Sequence, residues 1–403
     1  MNASFEFNTT KSIISQPGSL RKITDICQKL NISKPLVVTD QGIVSCGLLK
    51  ILLSELSSQV CASGMSELTV TVYDQVVADP QESIIFSALE QGKRNKIDGV
   101  IGFGGGSSMD TAKVVAVLMK SSQALSDIYG VDQVDGDRLP LILIPTTAGT
   151  GSEVTPIAIV TTGETTKAGI VSSQLLPDVA LLDAELTLGL PKAVTAATGI
   201  DSMVHAIEAY TSKIRKNPYS DMLAKEALRL LAGNIEVVCR YGKNIESRQN
   251  MLLGACLAGQ AFANAPVAAV HALAYPLGGH FHIPHGLSNS LVLPHVMRFN
   301  KSHAASQYSE LAPFISNAIN TNQTEQAITD DLIAYIEDLI KRLGLPNTLK
   351  DMKISHDKLP MLARDAMMQT RLLVNNPKAI NYEDALAIYQ SAYEKHPKEN
   401  NLD

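Results

Sequence analysis

The stretch GFGGGSSMDTAK (102–113) places three successive glycines between an apolar segment, IDGVIGF (97–103), and SMDTAKVVAVLMK (108–120). The apolar segment predicts a β-strand, and the segment after the glycines predicts a helix. Glycines at such a junction let an anionic group approach the backbone N–H groups at the start of the helix. A tight turn is the alternative, but three successive glycines exceed what a turn needs. The stretch therefore predicts an α/β fold with an anion-binding loop.

The segments around this loop repeat the same alternation of strand and helix. Further strands are predicted at PLVVTD (35–40), ELTVTVYD (67–74), RLPLILIPTT (138–147) and PDVALLD (177–183), with helical segments such as QESIIFSALEQGKRN (81–95) between them. This order is typical of a parallel sheet covered by helices. After LGLP (188–191) long Ala- and Leu-rich helical patterns follow. We predict a Rossmann-like α/β nucleotide-binding domain at 1–187 and an all-helical domain at 188–403.

Composition excludes several classes of protein. The 403 residues carry a net charge of −6 and no cluster of Lys and Arg, which argues against nucleic acid as a partner. The five cysteines are scattered and form no CxxC pair, which favours a reducing cytoplasm over a disulfide framework or a thiolate zinc site. The N-terminus lacks the pattern of a signal peptide, and no run reaches the roughly 18 apolar residues of a membrane span. We expect a soluble protein that is not exported.

The glycine loop is not the usual dinucleotide fingerprint. Gly102, Gly104 and Ser107 give G-x-G-x-x-S, and the loop follows the third predicted strand instead of the first. Asp40 ends the first predicted strand, where its carboxylate would accept the ribose hydroxyls and repel a 2′-phosphate, which favours NAD over NADP. A helix N-cap is the alternative role for Asp40. A second polar loop, PTTAGTGSEVT (145–155), suits phosphate or nicotinamide contacts.

A second group of residues has the composition of a metal site. Asp201 and His205 are four apart on a predicted helix, so both point from one face toward one spot, although a capping Asp and a packing His would give the same spacing. His271 lies in an apolar helical run, where an imidazole without a partner would be costly. His285 follows a proline in a loop-like setting. One Asp with three His suits Zn²⁺ or Fe²⁺ and leaves a position open for a substrate oxygen.

Several motifs together resemble one known family, the iron-dependent (group III) alcohol dehydrogenases, which share the dehydroquinate synthase-like fold. The resemblance covers essentially the whole chain. It rests on GGGSSMDTAK (104–113), IPTTAGTGSEVT (144–155), GIDSMVHAIEAY (199–210), VHALAYPLG (270–278), PHGLSNSLVLPHV (284–296) and RLLVNNP (371–377). It implies a nucleotide-binding α/β domain, an all-helical metal domain, a cleft between them, and a homodimer or larger assembly.

The resemblance also implies particular site residues. The family's metal ligands fall on Asp201, His205, His271 and His285. Its nucleotide contacts fall on Asp40, Asp79, Gly104, Gly105, Gly106, Ser107, Ser108, Thr146, Thr147, Gly149, Thr150 and Lys167. Tyr275 stands where many relatives carry a histidine that helps to release a proton, so we name it as a catalytic candidate; its ordinary pKa near 10 makes it a poor base. His280 and His282 match no ligand position and are expected to be surface or packing residues, although His282 could line the cleft.

The expected reaction is reversible hydride transfer between an alcohol and NAD⁺, with an aldehyde or ketone as the other substrate and Fe²⁺ or Zn²⁺ as Lewis acid. Three alternatives remain open at this stage. They are a lyase similar to dehydroquinate synthase, a hydroxyacid–oxoacid transhydrogenase, and a metal- or nucleotide-binding sensor without activity. The segments around the metal motifs lack the Lys and Arg that the lyase's phosphorylated substrate requires.

Overall fold

The computed structural model describes residues 4–58, 68–163 and 166–394. The chain divides into two compact units. The α/β unit consists of Asn8–Leu190 and Gly242–Gly259. The helical unit consists of Pro191–Tyr241 and the described parts of Met1–Phe7 and Gln260–Asp403.

In the described residues, the large sheet of the α/β unit consists of β1 (Ser12–Ser15), β2 (Pro35–Asp40), β3 (Thr71–Val76), β4 (Gly99–Gly104), β6 (Leu141–Pro145) and β9 (Val179–Leu182). These six strands are parallel and lie in the order β1-β9-β6-β4-β2-β3. A smaller sheet pairs β7 (Ile157–Thr162) with β8 (Thr166–Val171) antiparallel, and β5 (Gly130–Val131) joins β8 in parallel. The predicted α/β class with a parallel sheet is confirmed.

Both faces of the large sheet are buried, as the near-continuous apolar runs of its strands require. Leu36 and Val38 face one core, and Val37 between them faces the other, because successive side chains of a strand point to opposite faces. Helices cover both sides of the sheet. In the described part of residues 8–190 the helices are α1 (Ile23–Lys29), α2 (Gln41–Ser45), α3 (Leu48–Ser58), α4 (Glu82–Asn95) and α5 (Gly106–Leu118). Residues 245–259, from a later helix, also belong to this unit.

Four of the described strands, β1, β5, β7 and β8, were not predicted from the sequence, and β5 is only two residues long. β1 is a short edge strand with a mostly exposed surface, so its four residues show little alternation. β7 and β8 form a hairpin in the segment between the second polar loop and the last predicted strand. The predicted strand at 67–74 begins at Thr71 instead, and Glu67 lies outside the described residues.

The described part of the chain after Pro191 contains helices and no strand, which confirms the predicted helical C-terminal region. These helices are α6 (Lys192–Thr211), α7 (Pro218–Arg240), α8 (Ile245–Asn264), α9 (Ala269–Phe281), α10 (His285–Ile315), α11 (Glu325–Leu343), α12 (Leu359–Met367), α13 (Thr370–Leu373) and α14 (Tyr382–Tyr393). In the described ranges no single helix is long and apolar enough to cross a membrane; α8 and α9 pass that test only together, as a sharply bent pair judged by length and composition.

Candidate metal centre and nucleotide loops

One buried face of α6 carries the first two predicted ligands. Asp201 and His205 are 2% and 4% exposed, and they lie one helical turn apart. Residues from Gly199 to Thr211 are buried without interruption, so this part of α6 runs through the interior of the helical unit. A carboxylate and an imidazole on such a helix need polar partners, because burial without partners is costly.

Two other helices bring the remaining predicted ligands to this face. His271 lies in the first turn of α9 and is 3% exposed, whereas His285 is the first residue of α10 and is half-buried. The loop-like setting expected for His285 is wrong, because the helix begins at this residue. One ligand atom from each of the four residues lies within 4.8 Å of the others. The structure therefore brings together all four side chains that the resemblance implied.

Neighbouring side chains fix the orientation of the cluster. The His205 ring stacks on Phe262 at 4.4 Å and on His271 at 4.8 Å between ring centroids. Asn289, one turn after His285 on α10, donates from Nδ2 to Asp201 Oδ1 at 2.5 Å. The same nitrogen lies 3.3 Å from the Nε2 atoms of His271 and His285. Asp201 Oδ1 and the Nε2 atoms of His271 and His285 therefore lie around one place beside Asn289.

The cluster suits a divalent cation. Ligand atoms around Zn²⁺ or Fe²⁺ lie about 3.5 Å apart when each metal bond is about 2.1 Å long, so a small inward movement closes the set. The Oδ1 atom of Asn289 is buried and has no hydrogen-bond partner among the described residues, which also favours a polar guest. Burial opposes ionisation of Asp201, but the positive charges of His285, His205 and His271 when they are protonated, together with the Asn289 amide, outweigh burial and lower the pKa of Asp201.

Two buried polar residues beside the cluster, Glu208 and Asn289, were not identified from the sequence. Glu208 lies on α6 three residues after His205, and its carboxylate contacts His271 Nδ1. Glu208 lies in GIDSMVHAIEAY (199–210), and Asn289 lies in PHGLSNSLVLPHV (284–296). Their spacing from the ligands, three residues for Glu208 and four for Asn289, is the signal that could have found them.

Three further residues lie between the middle of α9 and its C-terminal end, namely Tyr275, His280 and His282. The Tyr275 ring lies 6.0 Å from the His285 ring between centroids, so the catalytic candidate is next to the cluster. His280 instead pairs with Asp365 at 2.5 Å in an exposed position. His282 ends α9 in a left-handed conformation with φ 54°. Neither His280 nor His282 belongs to the four-residue cluster.

In the α/β unit, the two predicted polar loops are neighbours. They follow β4 and β6, adjacent parallel strands whose carboxyl ends meet at one edge of the sheet. Gly104 ends β4, and its carbonyl accepts from the Thr146 N–H at 3.0 Å. A Cβ on Gly106 would lie 2.9 Å from Thr150 Cγ2, so glycine permits this contact. Gly105 caps α5, whose first N–H groups have no partner within the helix.

Asp40 has two contacts beside these loops. Its Oδ1 accepts from the Ile43 N–H at 3.1 Å and caps α2, which is the alternative role considered above. Its Oδ2 accepts from the Ser108 hydroxyl at 3.1 Å, so the carboxylate lies next to the glycine loop. Two further predicted nucleotide contacts, Asp79 and Lys167, form an ion pair with each other, in which Lys167 Nζ on β8 lies 2.5 Å from Asp79 Oδ1.

Buried ionisable side chains connect the second polar loop to α5. Lys113 is fully buried on α5, and its Nζ donates to the Ile157 carbonyl at 2.7 Å. Asp110, one turn earlier, accepts from the Ser152 hydroxyl at 2.6 Å and from the Ile159 N–H at 3.0 Å. Burial raises the pKa of Glu153 to about 7. These contacts tie the second polar loop to the helix that begins at the glycine loop.

Comparison with known families covers both halves of the chain. Residues 10–184 match the family model described as iron-containing alcohol dehydrogenase. Residues 195–393 match the model described as the C-terminal part of the Fe-containing alcohol dehydrogenase family. The two models together span most of the chain.

Individual proteins match over nearly their whole lengths. Long-chain-alcohol dehydrogenase 1 of Geobacillus thermodenitrificans is 39% identical over 382 residues, which is 93% of each chain. Sulfoacetaldehyde reductase of Bilophila wadsworthia is 33% identical over 97% of this chain and 99% of its own. Among solved structures, a 1,3-propanediol oxidoreductase has a TM-score of 0.92 at 32% identity, with 97% of this chain and 100% of that chain covered. A sulfoacetaldehyde reductase from Bifidobacterium kashiwanohense in complex with NAD⁺ has a TM-score of 0.86 at 28% identity, with 98% and 100% covered.

Proposed function

The chain belongs to the iron-containing alcohol dehydrogenase family, and we propose that Asp201, His205, His271 and His285 bind the metal on which its activity depends. It is a metal-dependent alcohol dehydrogenase, an oxidoreductase that interconverts an alcohol with an aldehyde or ketone. The observation that carries our proposal is the convergence of one carboxylate and three imidazoles within 4.8 Å. We propose Fe²⁺ or Zn²⁺ as the metal, and the family's name favours iron.

We propose that residues 1–187 bind the nucleotide and that residues 188–403 bind the metal. In the α/β region, the N–H groups at the start of α5 are suited to a pyrophosphate, and the hydroxyls of Thr146, Thr147 and Thr150 lie in the neighbouring loop. We include Gly149 in this loop and the Asp79–Lys167 pair among the nucleotide contacts. The relative crystallised with NAD⁺ supports a nicotinamide nucleotide as the ligand.

We propose that this nucleotide is NAD. Asp40 presents a carboxylate next to Ser108 of the glycine loop, at 3.1 Å from its hydroxyl. A carboxylate there accepts hydrogen bonds from two ribose hydroxyls and repels the additional phosphate of NADP. The capping of α2 by the other carboxylate oxygen holds Asp40 in this orientation.

The chemistry follows from the nature of these groups. A divalent cation held by Asp201, His205, His271 and His285 would supply a Lewis acid for the substrate oxygen. A nicotinamide nucleotide held by the glycine loop and the loop of Thr146 and Thr150 would supply the hydride acceptor or donor. Asp201 provides the negative charge that the three neutral imidazoles lack, and Asn289 holds its carboxylate. Tyr275, beside His285, is the residue that we propose to donate or accept a hydrogen bond at the reacting oxygen.

Metal analysis of ligand variants tests this proposal. His285→Ala and His271→Ala should each remove most of the metal and lower kcat/KM at least about 100-fold, because a ligand is lost. His280→Ala is the matched control, since this exposed histidine pairs with Asp365 outside the cluster. NADH binding, followed by fluorescence, should survive in all three variants. Full activity of a variant that contains no metal would refute the assignment.

The same proteins distinguish the alternative reactions. A dehydrogenase oxidises added NADH continuously in the presence of an aldehyde. A transhydrogenase retains its nucleotide and turns over only when a hydroxy acid and an oxo acid are both supplied. A broad panel of alcohols and aldehydes with both nicotinamide nucleotides therefore comes first. Metal-loaded protein that binds NADH without oxidising it on any substrate would favour a sensor.

We also propose a homodimer or larger homo-oligomer that works in the reducing cytoplasm. Cys27, Cys46, Cys239 and Cys256 form no disulfide, and Cys61 lies outside the described residues. Free thiols are typical of a reducing compartment. Light scattering of the purified protein measures the assembly, and a monomeric mass at micromolar concentration would contradict the proposed oligomer.

A further inference from the structure

Glu208 is a buried carboxylate that contacts a member of the metal cluster. Its side chain is 5% exposed and lies on the same face of α6 as Asp201 and His205. Oε2 lies 2.6 Å from His271 Nδ1, and Oε1 accepts from the Val270 N–H at 2.7 Å. Both carboxylate oxygens are therefore held by the first turn of α9, which also carries His271.

The contacts of His271 define the tautomer of its ring. Nδ1 lies 2.6 Å from Glu208 Oε2, and an ionised carboxylate only accepts hydrogen bonds. Nδ1 therefore donates to Glu208, and in the neutral imidazole that a metal ligand requires, Nε2, which lies 3.3 Å from Asn289 Nδ2, carries no proton. With this tautomer, the Nε2 lone pair points into the cluster, as a metal ligand requires.

We propose that Glu208 is a positioning residue that holds His271 in its ligand tautomer and orientation. The inference rests on the proposed function, because it assigns to His271 the role of a metal ligand. A carboxylate that accepts the second N–H of a ligand histidine fixes the ring and increases the basicity of the other nitrogen. The hydrogen bond from the Val270 N–H restricts the Glu208 side chain further, because it fixes the carboxylate relative to α9, the helix that carries His271.

The replacement Glu208→Gln tests this role with little change in shape. If the amide oxygen accepts from Val270 N–H, the NH₂ group faces His271 Nδ1 and selects the tautomer with the proton on Nε2. If the oxygen accepts from His271, the NH₂ group faces the Val270 N–H and a hydrogen bond is lost. Either arrangement should lower the affinity of the site for a metal ion. We expect the dissociation constant of Zn²⁺, measured by chelator competition on metal-free full-length protein, to rise about 10- to 100-fold.

Asp365→Asn is the matched control, because Asp365 forms an exposed carboxylate–histidine pair with His280 in the same unit. It should leave the Zn²⁺ dissociation constant within about threefold of the wild-type value. The absorption spectrum of the Co²⁺-loaded protein provides a second readout. Glu208→Gln should change the Co²⁺ ligand-field bands, whereas a role confined to folding would lower the melting temperature and leave these bands unchanged.

A His271→Ala background separates failure of this inference from failure of the proposed function. If His271→Ala does not weaken metal binding, the proposed ligand set is wrong. If His271→Ala weakens binding but Glu208→Gln alone does not, only the positioning role is overturned. The proposal further requires that Glu208→Gln have little additional effect when His271 is absent. If Glu208→Gln fails to fold, Glu208→Asp keeps the charge but is one methylene shorter and reaches only one of the two partners; it should weaken Zn²⁺ binding, and an unchanged dissociation constant would overturn the proposal.

Discussion

Gly286 lies against the backbone of Ala197 so closely that a Cβ on the glycine would come within 2.4 Å of the Ala197 carbonyl oxygen. Asp201, one helical turn later on α6, would also be 3.2 Å away. Glycine therefore allows the start of α10 to contact α6. His285 is the residue immediately before this contact, so the close approach places its imidazole next to the Asp201 carboxylate.

Gly286→Ala should consequently move His285 away from the cluster. The obstacle is backbone, which cannot rotate away, so we expect a loss of about 1–3 kcal/mol in the free energy of unfolding. We also expect metal affinity to fall, because the ligand moves with the helix. Urea unfolding and chelator competition measure the two effects.

Gly233→Ala on α7 is the control for this substitution. A Cβ at this exposed helical glycine would meet no atom within 4 Å, so alanine should stabilise the protein by about 0.4–1 kcal/mol and leave metal binding unchanged. If Gly286→Ala behaves like Gly233→Ala, the close approach does not position His285.

Sequence patterns predicted the large sheet well because its central strands are apolar on both faces. PLVVTD (35–40) matches β2 at both ends, whereas the hairpin of β7 and β8 was missed although β7 alternates in burial. The ligand residues were identified through motifs. Glu208 and Asn289 could not be assigned roles in the same way, since a buried polar residue on a helix is interpretable only when its partner on another helix is known.

Asp40→Asn should change the nucleotide preference. The amide oxygen can still cap α2 by accepting from Ile43, but the negative charge that repels a 2′-phosphate is removed. We expect the ratio of kcat/KM with NADP to that with NAD to rise at least about tenfold, which corresponds to about 1.4 kcal/mol.

Asp40→Gly tests the capping role separately. It should change the nucleotide ratio in the same direction and also remove the hydrogen bond to Ile43, although glycine itself is a tolerated N-cap, so only a few tenths of a kcal/mol should be lost. An unchanged ratio in both variants would show that Asp40 acts only as a cap.

Glu153 should make stability depend on pH. Burial raises its pKa from 4.5 to about 7, so the folded protein binds more protons than the unfolded chain between these pH values. Its contribution to stability is fully present below pH 4.5 and is lost as the pH rises through 7. Glu153→Gln lacks this titration. The stability of the wild type relative to the variant should therefore fall by on the order of 3 kcal/mol between pH 4.5 and 8.

Urea unfolding of both proteins across this range measures the difference. Glu90→Gln, at an exposed position on α4, is the control and should follow the wild type at every pH. A difference between wild type and Glu153→Gln that does not vary with pH would contradict burial of a titrating carboxyl at this site.

The Tyr275 hydroxyl should take part in proton transfer. Its ring lies 6.0 Å from that of His285, close enough for the hydroxyl to interact with a group bound at the cluster. Tyr275→Phe removes the hydroxyl and should lower kcat at least about tenfold if that group donates a hydrogen bond in the transition state. Tyr275→His instead introduces a side chain with an ordinary pKa near 6.5. The pH profile of kcat should then gain an inflection near that pH that the wild type lacks. Profiles of the three proteins that superimpose after scaling would show that the residue at 275 takes no part in proton transfer.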